Sequence, residues 1–196
     1  MAISVFKRAV FELVVFRLAF SKRAGGRVAV FAALQALVVA ASAAGDSPRV
    51  PLHWLWNEQQ TDSAYTVDAG RLALFVHERG YVDMGVLAYV DALPSANGRP
   101  LKCFYFPAPR TDTFCSMSLI EQRTVRALGF AYTSDEGYLR VHPSEGTVPL
   151  FRLSNSYGKG DDDREHRFVI SEEEFVRMRK QGWTFDGVKG YVSTTP

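Results

Sequence analysis

The dipeptide Pro-Leu occurs at residues 51–52, 100–101 and 149–150, with both intervals 49 residues long. Related residues follow each copy: His53-Trp54-Leu55-Trp56-Asn57, Lys102-Cys103-Phe104-Tyr105-Phe106, and Phe151-Arg152-Leu153-Ser154-Asn155. A period of this length is the mark of supersecondary units that stack to share a core, because one such unit cannot bury its own apolar face. Later blocks correspond as well: Asp62-Ser63-Ala64-Tyr65, Asp112-Thr113-Phe114-Cys115 and Glu165-His166-Arg167-Phe168.

Each of these blocks leads into a helical stretch. Ser118 with Glu121 and Ser171 with Glu174 have capping-box spacing, and Asp68 suits an N-cap on its own. Gly80, Gly129 and Gly182 end the three stretches, glycine being the residue that enters the left-handed region without a Cβ clash. Val76, Val125 and Met178 stand four residues before these stops and mark the buried face. An aromatic follows each stop (Tyr81, Phe130, Trp183), and then a closing strand that contains Gly85, Gly137 or Gly187, a residue that marks a bulge or a close backbone approach.

The unit therefore reads strand, strand, helix, strand, over 51–90, 100–141 and 149–192. The expected fold is α+β: a pseudo-threefold closed domain, propeller- or prism-like, since closure would protect sheet edges. A β-trefoil is disfavoured by the helix in each unit. The third unit is longer by four residues between its glycine stops, within Ser156–Asp163, as expected of an exposed loop.

Upstream of Pro51 the character changes. Lys22-Arg23 and Arg27 precede the apolar run Val28–Ala40, and Ala41-Ser42-Ala43 follows. This is the pattern of a secretory signal peptide, so residues 1–43 are expected to be an extended N-terminal region with a signal peptide, and 44–196 the mature domain, secreted or held in the periplasm or cell envelope. The run falls short of the about 20 residues of a membrane span. An uncleaved signal anchor is the alternative, and would be the chain's only route to a membrane. Residues 1–43 carry six Lys/Arg and one Glu, so the remainder has 17 bases against 20 acids. The basic balance of the whole chain thus belongs to targeting and argues against nucleic acid as a partner.

Cys103 and Cys115 lie on neighbouring strands joined by Pro107-Ala108-Pro109-Arg110, a plausible hairpin turn. In an oxidising compartment a cross-strand disulfide is expected; two buried thiols are the other reading.

These blocks resemble a secreted bacterial repeat domain of unknown function, often appended to extracellular hydrolases. Its usual copy reads Pro-Val-Tyr-Arg-Phe-Tyr-Asn, then His-Phe-Tyr-Thr-Thr-Ser, then a helix, then Trp-x-x-Glu-Gly-Val-Ala-Phe-Tyr. Pro149–Asn155, Glu165–Ser171 and Trp183–Val188 are similar to the three blocks. The family arginine is kept only as Arg152, with Trp54 and Cys103 as counterparts. The family histidine is kept only as His166, with Ser63 and Thr113 as counterparts. The resemblance implies secretion and an accessory, adhesion-like role.

Catalytic patterns are missing. There is no Gly-x-Ser-x-Gly elbow, the four histidines lack zinc spacing, and Gly158-Lys159-Gly160 is no phosphate loop. Asp161-Asp162-Asp163 reads as a solvated loop rather than a calcium site. Glycoside hydrolysis needs two carboxylates about 5–10 Å apart, and no pair is nominated. No cofactor or metal is expected.

Aromatic residues carry the binding signal. Trp54 and Trp56 share a strand face, Tyr65 is on the neighbouring strand, and Tyr105 corresponds to Trp56. Such rings either stack on sugars or fill the core. Asn57, Asn155, Arg152 and His166 are the polar neighbours that would read hydroxyls, with Arg152 and His166 facing each other across one hairpin. The leading expectation is a non-catalytic secreted module that binds cell-envelope or extracellular carbohydrate through Trp56, Asn57, Tyr65, Tyr105, Arg152, Asn155 and His166. An envelope protein-interaction or structural module is the alternative, marked by a flat apolar patch. A small secreted hydrolase ranks last, and two buried adjacent carboxylates with shifted pKa values would revive it.

Overall fold

Nine strands and three short helices alternate along the chain in a computed structural model that describes residues 47–106, 111–157 and 164–196. The expected signal peptide within 1–43, the expected turn at 107–110 and the acidic run at 161–163 lie outside the described residues. In order, the elements are β1 (Arg49–Asn57), β2 (Asp62–Thr66), α1 (Ala69–Glu78), β3 (Val82–Asp91), β4 (Gly98–Phe106), β5 (Asp112–Ser116), α2 (Leu119–Ala127), β6 (Ala131–Arg140), β7 (Thr147–Asn155), β8 (Glu165–Val169), α3 (Glu172–Lys180) and β9 (Thr184–Ser193).

Each helix begins as the sequence dictates. The side chains of Asp68, Ser118 and Ser171 accept from the backbone N–H of Arg71, Glu121 and Glu174, which satisfies donors that a first helical turn leaves free. Each ends at a glycine with positive φ: Gly80 at 73°, Gly129 at 98° and Gly182 at 92°.

All strand pairing is antiparallel. β1 pairs with β2 on one side and β3 on the other; β4 pairs in the same way with β5 and β6, and β7 with β8 and β9. Register shifts interrupt the pairing of β1 with β3, β4 with β6 and β7 with β9. Gly85, Gly137 and Gly187 have positive φ on those same third strands.

The closed pseudo-threefold α+β domain expected above is not what forms. The nine described strands make one open, antiparallel, sandwich-like sheet, running β2-β1-β3-β6-β9-β7-β8 with β4 and β5 branching from β6. Two physical reasons account for the difference. The helices are nine or ten residues long and each buries only one or two side chains, so the strands carry the architecture. β2, β5 and β8 each have a ladder on one side alone, which leaves the sheet open. The third strands meet through single residue pairs, Asp91↔Tyr138, Arg140↔Tyr191 and Tyr89↔Ser193.

The first and second strands of each unit are the most buried, while β3, β6 and β9 begin exposed. A central core gathers Leu52, Tyr65, Leu101, Leu139, Leu150, Phe168 and Val192. Three smaller cores lie beneath the helices: Leu55, Ala64, Phe75 and Tyr81 at α1; Phe104, Phe114 and Val125 at α2; Leu153, Val169, Met178 and Trp183 at α3. Cys103 and Cys115 pair directly across β4 and β5 and form a disulfide inside the central core, with Cα atoms 4.1 Å apart. At the far ends of the fold, Arg49 Nη1 donates to Ser193 Oγ (2.9 Å) and to the carbonyls of Thr195 (3.3 Å) and Pro196 (3.4 Å). No described helix is long and apolar enough to cross a membrane.

Candidate functional site

β2, β5 and β8 begin with Asp62, Asp112 and Glu165. These acids recur at one position of the three blocks, and sequence reading passed over them because it sought a catalytic pair rather than a set of three. Their side chains reach from one hairpin into the next. Asp62 accepts from the Thr113 backbone N–H (2.9 Å) and hydroxyl (3.1 Å), and from the Tyr81 hydroxyl. Glu165 Oε2 accepts from the Ser63 backbone N–H at 3.0 Å. Asp112 Oδ1 stands 3.9 Å from His166 Nδ1.

Burial pushes Asp62 well above the usual carboxylate range, and the nearby Glu165 and Asp112 charges add to the rise. Burial likewise pushes Glu165 up to about 7, against hydrogen bonds from Ser63 and the charge of Arg167, with Asp112 raising it further. The principle is that a low-dielectric site disfavours charge, and like charges disfavour it more. Among the described residues, Asp112 Oδ1, Glu165 Oε1, His166 Nδ1 and Arg167 Nε are buried without a hydrogen bond, and they face one another as two ion pairs, Asp112–His166 at 3.9 Å and Glu165–Arg167 at 3.5 Å. Native proteins leave few such groups, and each asks for an explanation.

Arg167 links the acids to the aromatic residues. Its Nε lies 3.5 Å from Glu165 Oε1, and its guanidinium carbon is 4.4 Å from the Trp56 ring centroid, 5.0 Å from Trp183 and 5.2 Å from Trp54. These are the chain's three tryptophans, and all lie within cation–π distance of one guanidinium. Trp54 also donates its indole N–H to Ser63 Oγ at 3.1 Å, and Tyr157 meets Trp183 edge-on at 5.7 Å. Trp56 is half-buried, Trp183 buried and Tyr157 exposed. The only advance signal for Arg167 was its place in the block, where the other units have Ala64 and Phe114.

The other expected site residues divide sharply. Tyr65 is buried in the central core, its ring 4.8 Å from Phe168 and its hydroxyl accepting from the Phe168 N–H at 2.8 Å. Asn57 is buried and builds its own turn, accepting from the Gln60 N–H (3.1 Å) and donating to the Arg79 carbonyl (2.9 Å). Asn155 accepts from the Tyr157 N–H at 2.8 Å. Tyr105 lies under the Arg79 guanidinium at 4.9 Å.

Arg152 and His166 do not face each other directly: Arg152 pairs with Phe168, and His166 with Ser154. Both pack on Phe114 of the neighbouring hairpin, at 4.4 Å and 4.9 Å from its ring centroid. Arg152 is buried and donates to both oxygens of Glu121 (2.8 and 3.1 Å) and to Asp186 (3.3 Å). Lys189 also reaches Glu121, at 2.7 Å.

Among the described residues no cluster of His, Cys, Asp or Glu could hold a metal ion. A depression of about 860 Å³ runs along α3, lined by residues between Ser171 and Gln181, and includes none of the expected site residues. The model of a family described as a domain of unknown function, DUF5648, matches residues 51–193. No curated protein and no solved structure matches the chain.

Proposed function

Starting from the fact that the chain belongs to the DUF5648 family of domains of unknown function, we propose that it is a non-catalytic binding module for extracellular or cell-envelope carbohydrate. One observation carries this reading: the half-buried Trp56 ring is braced by Arg167, which Glu165 and two further indoles hold in place. A rigid, partly exposed indole offers an apolar platform for the C–H face of a sugar. Polar groups beside such a platform would fix orientation. Asn57, Tyr65 and Arg152 are committed to the fold and are not part of this site. Action outside the cytoplasm belongs to the same proposal, supported by the disulfide and by where such bonds persist.

Calorimetry of the exported protein against neutral and acidic oligosaccharides tests it. Trp56→Ala should weaken binding about tenfold or more, as truncation of a central aromatic does, while the thermal melt keeps its cooperativity. If no oligosaccharide binds the parent protein, the proposal fails.

A hydrolase is the second reading, favoured by the raised, adjacent carboxyls of Asp62 and Glu165. It ranks lower because both side chains are buried and engaged with backbone N–H groups of a neighbouring hairpin. Product release from an oligosaccharide, abolished in Glu165→Gln, would reverse the order.

A further inference from the structure

We infer that the saccharide taken at Trp56 is an acidic one, and that the terminal N–H groups of Arg167 receive its carboxylate or sulfate. The inference rests on the proposed function and narrows it to a class of ligand.

The unused donors of Arg167 carry the argument. A guanidinium has five N–H donors and no acceptor. Nε of Arg167 is buried and turned to Glu165 Oε1, 3.5 Å away. Nη1 and Nη2 reach solvent, and among the described residues neither makes a hydrogen bond. The three indoles around the group stabilise its charge. They do not replace acceptors for the in-plane N–H groups.

Arg152 on the adjoining strand shows the contrast. Its Nη1 and Nη2 donate to Glu121, Nη1 reaches the Cys115 carbonyl as well, and Nε donates to Asp186. One arginine of this hairpin is therefore spent on the fold, and the other keeps its outer edge open beside Trp56.

The acids nearby do not fill that edge. Glu165 Oε2 accepts from the Ser63 N–H, Asp62 accepts from Thr113 and Tyr81, and Asp112 faces His166. With Nε held by Glu165, the Nη1–Nη2 edge is the one left for a ligand. Tyr157 stands at the rim. It is exposed, meets Trp183 edge-on at 5.7 Å and lies within reach of the Arg167 charge. Its hydroxyl has no hydrogen-bond partner among the described residues, so it is available to a sugar hydroxyl.

The chemistry of these groups selects the ligand. A carboxylate or sulfate presents paired oxygens that match the guanidinium fork. A neutral sugar presents only hydroxyls. Charge-assisted hydrogen bonds should favour an acidic saccharide over its neutral counterpart about tenfold to hundredfold.

Calorimetry on the full chain with two matched pairs tests this. One pair is trigalacturonate and its methyl ester; the other is a sulfated carrageenan tetrasaccharide and its desulfated form. In at least one pair the acidic member should bind about tenfold tighter or more, and the advantage should shrink as salt is raised. The pair that responds tells carboxylate from sulfate. Arg167→Gln should abolish the preference. Arg167→Lys keeps the charge without the fork, so it should retain only part of the preference, and it serves if the Gln variant does not fold. Trp56→Ala should weaken both members of a pair alike and leave their ratio unchanged. Neutral members that bind as tightly as acidic ones would overturn the inference and leave the proposed function standing. A parent protein that binds none of the four would sink both. An acidic preference that persists undiminished in Arg167→Gln would overturn the inference too, by assigning the anion to another group.

Discussion

Arg152 donates to both carboxylate oxygens of Glu121, 31 residues earlier in the chain, at 2.8 and 3.1 Å. The bond joins β7 to the first turn of α2 and so fastens two hairpins together. Arg152 is buried but Glu121 is partly exposed and keeps Lys189, so losing these charge-assisted bonds costs about 1.5–3 kcal/mol. Arg152→Ala should therefore lower the urea midpoint strongly without a separate loss of sugar affinity at temperatures where it is folded. A variant as stable as the parent protein would show the pair to be idle.

The same pair sets the acid limit. Burial pushes Glu121 up, but Arg152, Lys189 and Ser116 outweigh it and hold the carboxyl down to about 2, below its ordinary value of 4.5. The unfolded chain then takes up protons first, so this contribution is present above about pH 4.5 and lost as pH falls toward 2. Thermal melts should show stability declining below about pH 4.5, and Glu121→Gln should remove most of that decline.

Joining Cys103 to Cys115 closes a short loop inside the core. Replacing both by alanine should cost roughly 2–4 kcal/mol in chemical unfolding. Both sulfurs belong to buried residues, so reductant should act slowly on the native protein and quickly once denaturant opens it. Equal rates in the two states would contradict this placement.

Gly137 has φ of +74°, and a Cβ there would lie 2.4 Å from Val90 Cγ2 and 3.1 Å from the Asp91 carbonyl oxygen. β6 crosses β3 at this point, next to the Asp91↔Tyr138 pair. Gly137→Ala adds a left-handed backbone penalty to a steric one, and should destabilise by about 2 kcal/mol or more. Gly146→Ala is the control, since it has a similar φ of +71° and open space around it. Matching losses in the two variants would mean that the strand crossing contributes nothing.

Local signals were legible wherever the chain's own chemistry decides the outcome. Asp68, Ser118 and Ser171 cap helices because a short polar side chain beside a free N–H has few better options. The reciprocal half of the capping box was less predictable: Glu121 turns to Arg152 and Lys189, partners on two distant strands. The same limit governs the site. Trp56 was visible as an aromatic, but its brace, Arg167, arrives from a strand more than a hundred residues later. Tyr65 and Arg152 have the composition of a binding surface, yet their partners Phe168 and Glu121 are on other hairpins and draw them inside. The sheet's connectivity depends on three single residue pairs between β3, β6 and β9, too sparse to leave a pattern in composition.

Arg49, in the first strand, holds the backbone of the last two residues, Thr195 and Pro196. The domain's entry and exit consequently lie side by side, like the two leads of a plug. A module wired in this way can be spliced into a surface loop of another folded protein without prising that host apart, and domains with neighbouring ends tolerate such insertion. It can equally be reordered, with old ends joined by a short linker and new ones opened at a surface turn.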